Sequence, residues 1–194
     1  MNSDTTALMK AMVIHGGESV LDIGTNQGAL LLEVAQFKPS VMVGIDINPQ
    51  AIELARQNMN YNHIANVRLL AADVTQTAFE NTFDVIVCNP PFFEVSAHTL
   101  TSNDSKRLAK FNETLTLTQL MEAIKRNLSP KGRAYVVFRS AFLAQCFQAA
   151  TLHNLSITTI QGVEDVRLAS YKSCVLTLQH GENKPCQFVH PIKL

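Results

Sequence analysis

Short, mostly apolar runs alternate with helix-forming segments along much of this sequence. Four such runs occupy residues 19–23, 41–47, 67–72 and 83–88, and the last contains Val-Ile-Val without a polar break. Runs of this length suit strands that are covered on both faces, as in a parallel sheet. Their alternation with helices predicts right-handed βαβ units. We therefore predict an α/β fold with a mostly parallel sheet, helices on both faces, and a single domain over residues 1–194.

Residues typical of helix ends and loops set the bounds of the other helices and strands. Asn48 and Pro49 are typical of a helix N-terminus, and the polar stretch of about twenty residues after Cys88 predicts the longest loop. Helices are predicted at residues 4–14, 29–37, 49–61, 115–128 and 142–153; further strands at 133–138, 155–162 and 174–179; and an edge position for 185–194.

Composition narrows the class of protein. Hydrophobic residues make up 46% of the 194 residues and charged residues 16%, which is typical of a globular protein. No apolar run approaches the roughly 20 residues that span a membrane, and no signal peptide is recognisable, so we expect a cytoplasmic location. The four cysteines lack a C-x-x-C pair, which favours free thiols. The six histidines show no metal-ligand spacing, so no metal site is expected.

The net charge of zero hides an uneven distribution. Residues 1–100 contain 4 Lys/Arg and 10 Asp/Glu, whereas residues 101–139 contain 8 Lys/Arg and 3 Asp/Glu. A basic segment therefore begins shortly after the strand at 83–88, and such segments are candidates for contact with anionic partners.

The strand at 83–88 ends in an unusual corner, Asn89-Pro90-Pro91-Phe92-Phe93. Neither proline can donate to a sheet ladder, and Pro90 keeps Asn89 out of the helical region. The strand therefore ends in a rigid, non-helical corner that presents a planar amide and aromatic rings.

The other three strands of this group also end in polar or glycine residues. Gly24 and Gly28 bound a turn after the first strand, Asp46 ends the second and Asp73 the third. In α/β sheets ligands bind outside the carboxyl ends of the strands. The G-x-x-x-G spacing is not that of a pyrophosphate turn. An acid 22 residues after Gly24 suits a ribose diol, and Asp73 could accept from an exocyclic amine, although either acid could instead cap a helix or turn. Together they indicate a nucleoside without phosphates.

These residues resemble the motifs of class I S-adenosylmethionine-dependent methyltransferases. Residues 20–28, 44–47 and 72–73 match the first three motifs in family order, within a resemblance that covers about residues 15–180. The resemblance implies a Rossmann-like, seven-stranded sheet with an antiparallel last strand and S-adenosylmethionine as cofactor. Asn26 stands where many members have glycine, and asparagine tolerates positive φ. The cofactor-binding residues implied are Asp22, Gly24, Thr25, Asn26, Gly28, Asp46, Ile47, Asp73, Val74 and Asn89.

The corner is similar to the N-P-P-[YF] motif of methyltransferases that act on amines conjugated to a planar system. Such an amine is a poor nucleophile because its lone pair is delocalised. The side-chain oxygen of Asn89 and the carbonyl of Pro90 could each accept one N–H, while Phe92 stacks on the ring and Phe93 packs. Positioning then supplies most of the rate, and no general base is required. The catalytic residues implied are Asn89, Pro90, Pro91 and Phe92.

The order of the later motifs is similar to that of tRNA adenine-N6 methyltransferases acting beside the anticodon of a valine tRNA. RNA, specifically tRNA, is therefore the expected partner. Three alternatives stay open: a ribosomal-RNA guanine-N2 methyltransferase, a protein glutamine-N5 methyltransferase, and a non-catalytic cofactor-binding RNA module. The loop at 95–112 is expected to be mobile without RNA. The residues expected to contact RNA are Phe92, Phe93, Lys106, Arg107 and Lys110, followed by the basic residues of 125–139, some of which could simply stabilise a helix C-terminus.

Overall fold

The structure is a computed structural model, which describes residues 3–90, 115–165 and 170–194. Within these ranges the chain forms helices on both faces of one sheet. The helices are α1 (Ser3–Ala11), α2 (Ala29–Ala35), α3 (Pro49–Tyr61), α4 (Leu117–Asn127) and α5 (Leu143–Leu152), with a 3₁₀ turn at Ser140–Phe142. The strands are β1 (Ser19–Ile23), β2 (Val41–Asp46), β3 (Val67–Ala71), β4 (Phe83–Cys88), β5 (Leu128–Arg139), β6 (Leu155–Asp165), β7 (Ser170–His180) and β8 (Gln187–Lys193).

The described strands form an eight-stranded sheet in the order β3-β2-β1-β4-β5-β7-β6-β8. The first five strands in this order are parallel, and β7 runs antiparallel to both β5 and β6. The mostly parallel α/β fold is thus confirmed. The expected number of seven strands is corrected to eight, because the C-terminal segment pairs parallel to β6 as β8. Its expected position at an edge of the sheet is confirmed.

Strand β5 begins earlier than the sequence indicates. Leu128 pairs with Phe83, and the next pair is Arg133 with Val85, so the segment between them bulges out of the ladder. A Cβ on Gly132 would lie 2.9 Å from the carbonyl oxygen of Asp84, so this close approach requires glycine. Residues 129–132, which we expected to separate a helix from a strand, are therefore an irregularity within β5.

Successive residues of β4 point to opposite faces and enter two separate apolar clusters. Val85 and Val87 pack with α1 and α2, where Leu8 and Leu31 are fully buried. Ile86 and Cys88 pack on the other face with α4 and α5. The continuous apolar run of β4 thus follows from burial of both of its faces.

The start of β4 is fixed to the start of β1. The carboxylate of Asp84 accepts from the amide of Ser19 at 2.9 Å and from its hydroxyl at 2.8 Å. The backbone hydrogen bond from Ser19 is the largest of the causes that lower the pKa of Asp84. These bonds set the register of two central strands, and that register determines which residues meet at the opposite edge.

Candidate active site at the carboxyl ends of four strands

The register of the central strands brings the predicted site residues to one edge. Ile23 of β1 pairs with Ile45 of β2 on one side and with Cys88 of β4 on the other. The next residues along these strands, Gly24, Asp46 and Asn89, therefore lie at the same level. Asp73 follows β3, in which Ala71 is the partner of Asp46.

The turn after β1 requires unusual backbone angles. Gly24 has φ +73° and open space around a notional Cβ, whereas Gly28 has φ +82° and a Cβ there would lie 2.7 Å from the terminal methyl of Met59. Asn26 has φ 49°, the positive value that its side chain tolerates. The turn therefore packs tightly against α3 at Gly28 and leaves space at Gly24, where a ligand can approach the backbone.

Amides of this turn are satisfied within the protein. Gly24 and Thr25 donate to the carbonyl of Ile45 at 2.8 and 3.1 Å, and Gly28 donates to the carbonyl of Thr25 at 2.8 Å. Asn26 donates to the carboxylate of Asp46 at 2.9 Å. These four amides do not cradle a phosphate, which agrees with a nucleoside ligand.

Asp46 joins two turns and retains acceptor capacity. One carboxylate oxygen accepts from the amide of Asn26 and the other from the amide of Asn48, each at 2.9 Å. Asn48 is the N-cap of α3, as predicted, and its side chain accepts from the amide of Gln50. A carboxylate has about four lone-pair sites, so Asp46 can hold both turns and still accept from two hydroxyl groups.

Asp22 is the most unusual ionisable group of the described residues. It is fully buried, and neither carboxylate oxygen has a hydrogen-bond partner there. Burial raises its pKa to about 7; the nearby Thr25 hydroxyl, although outside hydrogen-bonding geometry, opposes this rise, and the charge of Asp46 adds to it. A buried acceptor without a donor is costly unless a ligand supplies one.

A cleft of about 380 Å³, partly open to solvent, lies beside Gly24 and Asp46, and the buried Asp22 does not line it. Ile47 lines it with 48% of its surface exposed, which is high for an isoleucine. Four other lining residues were not predicted: Ile23, Ile45 and Ala72 are ordinary strand-end residues, and Leu115 was assigned to a helix that in fact begins two residues later. The predicted cofactor residues that line the cleft are Gly24, Asp46, Ile47, Asp73 and Val74.

The loop after β3 is held from outside the cleft by α4. One carboxylate oxygen of Asp73 accepts from the amide of Thr75 at 2.8 Å. The guanidinium of Arg126 donates to the carbonyls of Val74 at 2.6 Å, Thr75 at 3.2 Å and Thr77 at 3.4 Å. Arg126, which the sequence assigned to the basic segment, thus fixes the backbone beside Asp73.

Asn89 lies one residue beyond β4 and is half-buried, next to a buried Pro90. Its side-chain nitrogen donates to the hydroxyl of Thr5 at 2.9 Å. The rest of the corner and the proposed RNA-binding loop, including its expected mobility, lie outside the described residues; the site predictions concerned are Pro91, Phe92, Phe93, Lys106, Arg107 and Lys110.

Two further residues of the basic segment have partners inside the protein. Arg133 donates to both carboxylate oxygens of Glu18 at 2.8 Å, and this pair lowers the pKa of Glu18. Lys125 lies 3.1 Å from a ring nitrogen of His180. Together with Arg126, these residues contribute to the fold, so they do not form a set of side chains held ready for RNA.

The described residues also bear on metals and membranes. In residues 3–90, 115–165 and 170–194, no group of three or more His, Cys, Asp or Glu side chains is placed to hold a metal ion. Within the same part of the chain, every helix is too short or too polar to cross a membrane.

Comparisons with known proteins show the family and the fold. A family model described as a methyltransferase domain matches residues 14–171. The tRNA1(Val) (adenine(37)-N6)-methyltransferase of Shewanella loihica is 32% identical over 66% of this chain and 55% of its own length. The enzyme of the same name from Cytophaga hutchinsonii is 33% identical over 76% of this chain and 62% of its own. The chain thus spans somewhat more than half the length of these two relatives. A predicted O-methyltransferase from Agrobacterium tumefaciens has the same fold, with a TM-score of 0.74 at 16% identity over 98% of this chain and 86% of its own.

The groups at this edge of the sheet suit the cofactor that the family resemblance implies. The unpartnered carboxylate of Asp22, beside the open backbone at Gly24, suits the amino group of a methionine moiety. Asp46 suits a ribose diol, and exposed Ile47 suits the face of an adenine. Because the family model covers residues 14–171, the chain belongs to the methyltransferase domain family, and its cofactor is S-adenosylmethionine.

Proposed function

We propose that this protein methylates the exocyclic N6 amine of an adenine in a tRNA anticodon loop. The observation that carries the proposal is the position of Asn89 just after β4, level with Gly24, which lines the cleft. The tRNA1(Val) adenine-N6 methyltransferases to which the chain is similar support adenine in tRNA as the substrate.

The cofactor supplies a methyl group on a sulfonium cation. Asn89 and Pro90 act on the substrate: the side-chain oxygen of Asn89 and the carbonyl of Pro90 each accept one N–H of the amine. These bonds draw the nitrogen toward tetrahedral geometry and direct its lone pair at the methyl carbon. The methyl group would pass from the sulfonium sulfur to this nitrogen, which would then lose one proton to water. The positive charge would move from sulfur to nitrogen and leave with that proton, and an environment of low polarity would favour its departure from the sulfur.

Cofactor residues of this chain position the donor without taking part in the reaction. In this proposal Asp46 accepts from the ribose hydroxyls, Asp73 from the adenine amine, and Ile47 and Val74 cover the adenine. Arg126 keeps the loop after β3 in place through three carbonyls. The rate then depends on the alignment of two bound molecules, since correct orientation can replace much of the activation entropy.

The direct test combines labelled S-adenosylmethionine and the purified protein with bulk tRNA, ribosomal RNA or total protein in parallel reactions. The RNA products are then digested to nucleosides and analysed by mass spectrometry. N6-methyladenosine in the wild-type reaction is the expected product. N2-methylguanosine from ribosomal RNA, or label in protein but not in RNA, would refute adenine N6 of tRNA as the target.

Substitution of Asn89 separates catalysis from cofactor binding. Asn89→Ala is expected to lower kcat at least about 100-fold, the usual cost of losing one group that acts mainly in the transition state. The thermal shift caused by S-adenosylmethionine should remain. Asn60→Ala makes the same chemical change at an exposed site on α3 and should leave both readouts as in the wild type. Full activity of Asn89→Ala would refute the catalytic role of Asn89, whereas a wild-type protein that binds S-adenosylmethionine but transfers no methyl group would favour a binding module without catalysis.

A further inference from the structure

Helix α1 reaches the catalytic edge of the sheet from a long distance in sequence. Its Ala7 and Leu8 are fully buried in the cluster that also contains Val85 and Val87 of β4. These apolar contacts place the helix against the face of the sheet to which alternate residues of β4 point.

A buried hydrogen bond fixes the first turn of this helix at the same edge as Asn89. Asp4 accepts from the hydroxyl of Ser173 at 2.9 Å, and both residues are at most 5% exposed. Ser173 pairs with Arg139, the last residue of β5, so it lies at the carboxyl end of the parallel strands. The first turn of α1 is thus held to β7 at the same edge of the sheet as Asn89.

The next residue of α1 contacts the proposed catalytic amide. The side-chain nitrogen of Asn89 donates to the hydroxyl of Thr5 at 2.9 Å, across 84 residues of sequence. Asn89 continues the alternation of Val85 and Val87 and therefore points to the face that α1 covers. Thr5 is half-buried, so water has limited access to this bond.

The two ends of an asparagine amide have nearly the same shape but opposite hydrogen-bonding roles. Only the oxygen can accept an N–H of a substrate amine, whereas a flipped amide would present its own N–H groups to the amine. A threonine hydroxyl can either accept from the amide nitrogen or donate to the amide oxygen. In the structure it accepts from the nitrogen, and this arrangement leaves the oxygen of Asn89 for the substrate amine.

We propose that Thr5 is a positioning residue, which anchors the amide nitrogen of Asn89 so that the amide oxygen faces the substrate amine. This inference rests on the proposed function of Asn89 in amine methylation. Thr5 itself does not touch the substrate, and it acts only through the orientation of the neighbouring amide.

The test compares Thr5→Val with Thr5→Ser. Valine keeps the shape and β-branching of threonine and removes the hydroxyl, while serine keeps the hydroxyl. For Thr5→Val we expect kcat to fall about five- to tenfold, the equivalent of one net hydrogen bond. The KM values for RNA and S-adenosylmethionine should not change. Thr5→Ser should restore most of the lost kcat, which a purely structural effect of position 5 would not produce.

A double substitution provides the matched control. In the Asn89→Ala background, which has no amide to orient, Thr5→Val should have no further effect on kcat. If Thr5→Val does not fold, Thr5→Ala and Thr5→Ser form the same comparison. The proposal is overturned if Thr5→Val keeps the wild-type kcat, if serine is as slow as valine, or if the effects of Thr5→Val and Asn89→Ala are additive. Failure of the wild-type protein to methylate adenine would instead refute the proposed function, and the two failures are distinguishable.

Discussion

Replacing Asp22 with asparagine should change how the stability of the ligand-free protein depends on pH. The carboxylate is fully buried and without a hydrogen-bond partner among the described residues, and burial raises its pKa from 3.8 to about 7. Between these two values the group is neutral in the folded protein and charged in the unfolded chain. Folding therefore takes up a proton in this range of pH.

The sign and the size of the effect follow from this proton uptake. Below pH 4 the group is neutral in both states and its contribution to stability is fully present. As the pH rises toward 7, the unfolded chain is progressively favoured, and above pH 7 the loss is complete. At about 1.4 kcal/mol for each pKa unit, Asp22 lowers the free energy of unfolding by about 4 kcal/mol between pH 4 and pH 8.

The measurement is urea unfolding of wild type and Asp22→Asn at several values of pH. The difference in the free energy of unfolding between the two proteins should shift by about 4 kcal/mol, in favour of the variant, from pH 4 to pH 8. The cost of burying an amide does not change with pH, and the groups that both proteins share titrate alike, so neither contributes to the change in this difference with pH. Glu182→Gln, an exposed carboxylate on the C-terminal side of β7, serves as the control. A difference that is constant with pH would refute a buried, unpaired carboxylate at position 22.

The affinity of Asp22→Asn for S-adenosylmethionine is a second test of the same substitution. If Asp22 accepts from the amino group of the methionine moiety, the stabilising variant should be the weaker binder. Loss of one hydrogen bond between charged groups predicts a decrease in affinity of about 10- to 100-fold at pH 8. Isothermal titration at that pH measures the affinity. Equal affinity of the two proteins, with the pH effect present, would place the amino group elsewhere.

Three other substitutions or treatments test the cleft and the core. Arg126→Leu frees the loop after β3, so cofactor affinity should fall about tenfold while the KM for RNA stays constant, as measured by titration and steady-state kinetics. Gly44→Ala would place a Cβ within 2.9 Å of three atoms and should lower the free energy of unfolding by about 1–3 kcal/mol; Gly16→Ala, where the nearest atom is 3.5 Å away, is the control, and equal effects would contradict the packing. Of the four free thiols only Cys186 is exposed, so one thiol per chain should react quickly with a disulfide reagent at pH 8, and rapid reaction of more than one would contradict the burial of the others.

The part of the site that lies at the ends of strands can be predicted from the sequence alone. Gly24 comes directly after β1, and Asp46 is the last residue of the adjacent β2. Parallel strands in register bring such residues together whatever the details of packing. The family resemblance adds their chemical roles. The main elements were found for a similar reason: apolar runs covered on both faces, as in β4, have few alternatives to a parallel sheet.

Other features depend on contacts that no local pattern records. The bond from Asn89 to Thr5 joins residues 84 positions apart, and both residues are common in turns and helix termini. The sequence indicated an edge position for the C-terminal segment but not its parallel pairing with β6, because a strand that contains Pro191 and leaves Phe188 83% exposed has no buried face to reveal its partner. Such pairings become visible only once tertiary packing is known.

The basic segment shows how a charge count can mislead. The sequence analysis grouped Arg126 and Arg133 with the lysines of the loop at 95–112, because all of them lie after the Asn-Pro-Pro corner. In the structure these two arginines bind protein acceptors: loop carbonyls in one case and the carboxylate of Glu18 in the other. A guanidinium held in this way gains little from a phosphate, since it would have to give up bonds already made. For the proposed tRNA substrate, the electrostatic attraction is therefore smaller than eight positive charges suggest, and the proposal depends more on how the target base fits beside Asn89.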